Sequence, residues 1–167
     1  MKITEMFLGE LASEFERTKR ALEQYPEGQD EWKPHEKSMP LGYLASLIAI
    51  IPSWVAMIVT QDEFDVAPVG LKHEAATRTR VGLLQMMEKA SSDARTALDG
   101  TTDEFLDTPW RMLAGGAVVM KAARHVMIRD AFNHLAHHRG QLTVYLRLLG
   151  ATVPALYGPS ADDKRFL

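Results

Sequence analysis

His134 and His138 stand four residues apart in the run Asn133-His134-Leu135-Ala136-His137-His138-Arg139-Gly140-Gln141. At about 100° per residue a helix turns such a pair only about 40° apart, so both imidazoles can converge on one ion or one ligand atom. Neutral imidazole suits zinc, nickel, iron or copper. The competing reading is that the two histidines line a core crevice or face solvent, and spacing alone does not decide between these. His137 is expected to point away from their stripe. Asp130, one turn before His134, extends it: the carboxylate could orient an imidazole, ligate directly or act as a base, or it is a surface group paired with Arg124 or Arg129. His35, His73 and His125 fall near loops or off the stripe and read as structural or solvated.

Other chemistries have less to work with. The chain contains no cysteine, which removes disulfides, thiolate ligands and a thiol nucleophile, and leaves histidine, carboxylate and water to hold any metal. Ser38, Ser53 and Ser160 lack a nucleophile-elbow context, and no phosphate-cradling GxxxxGK[ST] run occurs. A net charge of −3 argues against a nucleic-acid phosphate backbone as partner, since that calls for a basic patch.

The elements that must position the histidines read as helices. With 46% hydrophobic and 25% charged residues over 167 positions, the chain suits one globular domain spanning residues 1–167. Phe7, Leu8, Leu11, Phe15 and Leu22 recur at helical steps and predict a first helix over about residues 4–25, stopped by Tyr25-Pro26-Glu27-Gly28. Ser38 or its neighbours are expected to cap a second helix over about residues 40–60, kinked at Pro52. Residues 62–70 read as a polar connection crossing the end of a bundle. A third helix carries Leu84, Met87, Ala94 and Leu98 and ends at Asp99-Gly100-Thr101; a short hairpin is expected over residues 108–120 around Gly115-Gly116; and the last helix runs over about residues 122–149 to Gly150. The expected fold class is therefore all-α, a four-helix bundle with a long crossover and at most one small hairpin.

Residues 38–61 contain no charged side chain and are long enough to cross a bilayer. Pro40, Gly42, Ser46, Pro52 and Ser53, and the amphipathic segments around them that need an apolar partner, favour a helix buried in the protein instead. The acidic Glu5, Glu10 and Glu14 interrupt any secretory leader. No membrane association and a cytoplasmic location are the expectations.

Four stretches together are recognisable: Trp32-Lys33-Pro34-His35-Glu36-Lys37-Ser38-Met39, Leu41-Gly42-Tyr43-Leu44-Ala45, His134-Leu135-Ala136-His137-His138-Arg139-Gly140-Gln141-Leu142, and Val153-Pro154-Ala155-Leu156-Tyr157-Gly158-Pro159-Ser160. Over nearly the whole chain the sequence resembles the DinB/YfiT-like family, the DNA-damage-inducible bundle proteins rather than the lesion-bypass polymerase of the same name. The resemblance implies a four-helix bundle with a long crossover, frequent dimerisation and a divalent metal held by three histidines, two of them at His134 and His138. The third family histidine falls on helix two in a Leu-Ala-x-His segment, and here that segment reads Leu44-Ala45-Ser46-Leu47. Leu47 has no donor atom. Tyr43, Leu47, Ile50 and Trp54 share one stripe, which predicts an apolar and aromatic wall there, with Ser46 about 100° away.

Two functions follow as expectations. One is a metal-dependent enzyme acting on small molecules, such as a thiol-dependent transferase or a hydrolase, with zinc, nickel or iron on a two-histidine site and Asp130 as its partner. The other is a non-catalytic, stress-associated homodimer with a small-molecule pocket and no functional metal, helix two burying its outer stripe against a second subunit. The intact half-site on the last helix favours the first.

Overall fold

The computed structural model describes residues 2–67 and 79–165, and its elements follow local chemistry closely. Helix α1 (Ile3–Leu22) buries Phe7, Leu11, Thr18, Ala21 and Leu22 on one face. Its first N–H groups are held by a distant carboxylate: Ile3 N and Thr4 N donate to Asp103 at 2.8 and 3.0 Å. The helix ends at Leu22, earlier than the expected Tyr25, because Gln24 N and Tyr25 N turn to carbonyls three residues back. That tightened turn leads into Pro26 and still buries the Tyr25 ring.

The expected second helix is two helices, α2 (Leu41–Ile50) and α3 (Pro52–Thr60), bent by 43°. Pro52 has no N–H to continue α2, and it sits instead in the first turn of α3, where none is needed. Ser38 does not cap α2. Leu41 N and Gly42 N donate to the carbonyls of Trp32 and Asp30, so the preceding loop does that work. Most of α2 is buried inside the chain, with Leu41, Leu44, Ala45, Ile48 and Ala49 all at 0% exposure. Among the described residues no single helix is long and apolar enough to cross a membrane; the bent α2–α3 pair passes by length and composition only.

The helical expectation holds for most of the described chain, and the small hairpin it allowed is part of a three-stranded mixed sheet in the order β1 (Glu63–Asp65), β2 (Pro109–Ala114), β3 (Ala117–Ala123), so the fold is mostly helical rather than all-α. The β2–β3 hairpin is the expected one, turning at Gly115 and Gly116, whose φ of 61° and 80° favour residues without a side chain. Strand β1 lies in the segment read as a connection and pairs parallel to β2, Phe64 opposite Met112. Asp65 pins the turn by accepting from Gly115 N at 3.0 Å and Gly116 N at 2.7 Å.

Helix α4 (Arg80–Asp99) starts at Thr79, whose hydroxyl accepts from Gly82 N at 3.1 Å, and it buries Leu83 alongside Met87, Ala94 and Leu98, with Leu84 half-buried against the same core. After the short α5 (Asp103–Leu106), α6 (Arg124–Leu148) begins two residues later than expected because β3 continues to Ala123. Helices α4 and α6 each pack against α1, α2 and α3. Two apolar clusters result, one about Leu44, Leu83 and Leu142, the other about Phe7, Val55 and Phe132, and Trp54 touches both.

Two buried arginines lock α6 in place. Arg124 donates to the Ile58 and Gln61 carbonyls at the C-terminus of α3 and, at 2.5 Å, to Asp62, meeting acceptors a helix end leaves open. Arg139 reaches Thr18 at 2.9 Å and Glu14 at 2.5 Å on α1, and its guanidinium also meets the Tyr157 hydroxyl of the C-terminal segment.

Candidate functional site

Helical spacing brings His134 and His138 together as expected: their Nε2 atoms lie 2.7 Å apart and their ring centroids 4.6 Å apart. The tautomers follow from the hydrogen-bond network. His138 Nδ1 donates to Gln141 Oε1 at 2.7 Å, so His138 Nε2 carries the lone pair that accepts from His134 Nε2–H. Gln141 lies one turn further along α6, so the same local period that pairs the imidazoles also sets their orienting partner. Trp54, from α3, packs edge-on to His134 with ring centroids 5.1 Å apart. Burial is the main force holding both imidazoles below the ordinary histidine pKa. The His138 and His137 rings add to it at His134; at His138 the ring of His137 adds to it and the Gln141 hydrogen bond opposes it.

The pair stands in the wall of a cavity of about 970 Å³ lying between α2–α3, α6 and the sheet. Tyr43, Leu47, Ile50 and Trp54, the stripe read from helix two, all line it, and Ser46 does not, its hydroxyl donating back to Gly42 O at 2.8 Å. Burial raises the Tyr43 phenol above its usual pKa. Five methionines, Met39, Met57, Met112, Met120 and Met127, line it as well, with Phe64 and Trp110. His137 corrects its expectation: it also lines the cavity, its ring 5.0 Å from that of His138. Asp130 lines it too from a solvent-exposed position, as the surface reading expected, but the pairing with Arg124 or Arg129 does not occur. Arg124 is taken by α3 and Asp62, and Arg129 by Glu10. Among the other histidines, His35 accepts from Lys37 N in its own loop, His125 meets the Leu106 carbonyl, and His73 lies outside the described residues. A second depression of about 790 Å³ beside α3 and α4 has Asp93 as its one titratable lining side chain.

The donor set can be tested for a metal. Two imidazole nitrogens at about 2.0–2.1 Å from one tetrahedral ion stand about 3.3 Å apart, so the 2.7 Å pair would open by roughly 0.6 Å to hold one. Small ring rotations supply that, and His134 would carry its proton on Nδ1 instead, since a protonated Nε2 has no lone pair to give. No group of three histidine or carboxylate side chains converges among the described residues, and Leu47 lines the same cavity without a donor atom. The residues fit a two-imidazole site and do not fit a three-histidine one.

Sequence reasoning missed Gln141 as an orienting partner and the sheet residues that close the cavity. The i, i+3 spacing of His138 and Gln141 was a usable signal. Nothing local marked Phe64 or Met112, which enter through a pairing between distant strands.

The comparisons with known proteins agree on the fold. The family model described as the DinB family matches residues 4–165. A DinB-like protein from Bacillus cereus ATCC 10987 superposes with a TM-score of 0.71 at 23% identity, covering 92% of this chain and 97% of that one. The DinB-like protein YjoA from Bacillus subtilis gives 0.67, also at 23% identity, covering 88% and 94%. A stretch of 30 residues is 53% identical to the uncharacterized protein YrdA of Bacillus subtilis strain 168, spanning 18% of each chain.

Proposed function

The chain belongs to the DinB family, and from that premise we propose that it is a small-molecule-binding helical protein whose pocket is headed by a two-histidine site, His134 and His138, for a divalent zinc, nickel or iron ion. In this reading α1, the bent α2–α3 pair, α4 and α6 are the four members of a bundle. The carrying observation is the Gln141–His138–His134 chain. It directs two imidazole nitrogens at one another in the wall of an apolar cavity, with the second nitrogen of His138 already committed to its orienting partner. An ion bound there would polarise a ligand oxygen or sulfur, or lower the pKa of its water. Gln141 holds the His138 tautomer, Trp54 limits rotation of His134, and Leu47 keeps the facing wall dry.

A second reading, a non-catalytic binding protein without a functional metal, is favoured by Leu47 in place of a third donor. One titration separates the two. Protein purified without an affinity tag is expected to take up about one equivalent of added zinc per chain, His134→Ala to lose that uptake, and Leu47→His to bind at least about tenfold more tightly. If zinc uptake by the natural chain is no greater than that of His134→Ala, the metal reading falls and the second stands.

A further inference from the structure

The cavity has a charge character that its shape alone does not convey. Among the described residues that line it there is no lysine or arginine, and the one carboxylate is Asp130. The two arginines nearest to Asp130 along α6 are turned elsewhere and occupied. Arg124 is fully engaged at the end of α3, and Arg129 is bound to Glu10 and lies over the Phe7 ring. Among the described residues no hydrogen bond or ion pair reaches Asp130. Among the described residues an anionic ligand entering this cavity would leave water without a cation to receive it and would face a carboxylate as well. A cation would find that carboxylate unpaired, aromatic rings at Tyr43, Trp54, Phe64 and Trp110 whose faces attract positive charge, and methionines that adapt to an irregular apolar body.

We infer that the pocket selects a small apolar amine, an aromatic or alkyl body seated among the methionines with its ammonium set against Asp130. Asp130 precedes His134 by one turn, about 6 Å along the helix axis. A ligand carrying a neutral donor atom that far from its ammonium spans both groups. Asp130 is then the specificity-determining residue of the pocket and has no part in holding a metal. The inference rests on the pocket half of the proposed function and is independent of the metal half.

The test uses three probes of one shape and different charge: naphthylethylamine, naphthylethanol and naphthylpropanoate. Binding is followed by quenching of tryptophan fluorescence and by calorimetry at low salt and about pH 8, above the ordinary histidine range, in chelator-containing buffer and again with zinc. In chelator the amine is expected to bind about two- to fivefold more tightly than the alcohol, the strength of an exposed ion pair, and the propanoate more weakly than either. Asp130→Asn should erase the advantage of the amine while leaving the alcohol unchanged, and Asp130→Lys should make the propanoate the preferred probe. Added salt should shrink the preference. Equal binding of the three probes, preference for the propanoate in chelator, or an amine advantage that survives in Asp130→Asn overturns the inference. If none of the three binds, both the inference and the pocket reading fall; if the amine preference holds while zinc is not taken up, the inference stands and the metal reading alone fails.

Discussion

Replacing Arg139 by methionine removes the guanidinium that ties α6 to α1 one residue beyond His138. Arg139 is fully buried; it reaches Thr18 at 2.9 Å, Glu14 at 2.5 Å and the Tyr157 hydroxyl. Removing one member of a buried ion pair typically costs about 3–5 kcal/mol, because the other charge is left in a poor medium. Here the carboxylate keeps two neighbours, Arg17 at 2.5 Å and the Tyr157 hydroxyl at 3.1 Å, and methionine refills much of the space, so the expected loss sits at the lower end, about 3 kcal/mol. For a domain of this size that corresponds to a fall in Tm of about 6–12 °C, at about 2–4 °C per kcal/mol. Urea unfolding followed by far-ultraviolet circular dichroism measures it, with an unchanged m-value showing that the two states are comparable. Adding Glu14→Gln removes the stranded charge and should restore about half of the loss, so the coupling in the double-mutant cycle is at least about 1.5 kcal/mol, increased by whatever Glu14→Gln costs alone. An Arg139→Met chain within about 1 kcal/mol of the natural one, or two substitutions whose effects simply add, would refute this account of the network.

Two further outcomes follow from buried groups. The Ser91 hydroxyl is buried in the middle of α4 with no hydrogen-bond partner among the described residues, so Ser91→Ala should stabilise the chain by about 0.5–1.5 kcal/mol through helix propensity and a relieved desolvation penalty; a loss of stability in urea would show that the hydroxyl is satisfied after all. His134 and His138 are held below the ordinary histidine pKa of about 6.5, so between those lowered values and about 6.5 the unfolded chain binds more protons than the folded one. Stability is therefore full above about pH 6.5, falls as pH drops through that value, and levels off below the lowered values. Chemical denaturation across pH 5–8 in chelator should show a flatter profile for the His134→Gln, His138→Gln double variant, and an identical slope would count against the assigned burial.

The sequence by itself determined what is set within one turn of helix or one tight turn of chain. His134 and His138 converge because four residues turn a helix by little more than a full revolution, and Pro52 breaks the second helix because it lacks an N–H. Gly115 and Gly116 turn the hairpin because they tolerate positive φ. The apolar stripe Tyr43, Leu47, Ile50 and Trp54 came through for the same reason, and all four line the cavity. Only the tertiary structure decided where long side chains and short strands find partners. Strand β1 has three residues, too few to carry a period, and exists because β2 arrives beside it from far along the chain. Arg124 was read as a neighbour for Asp130, and it instead caps the end of α3. That choice leaves Asp130 unpaired among the described residues at the wall of an apolar cavity. A flexible side chain can satisfy its charge in several directions, and which one it takes depends on helix ends and carboxylates that sequence spacing does not place.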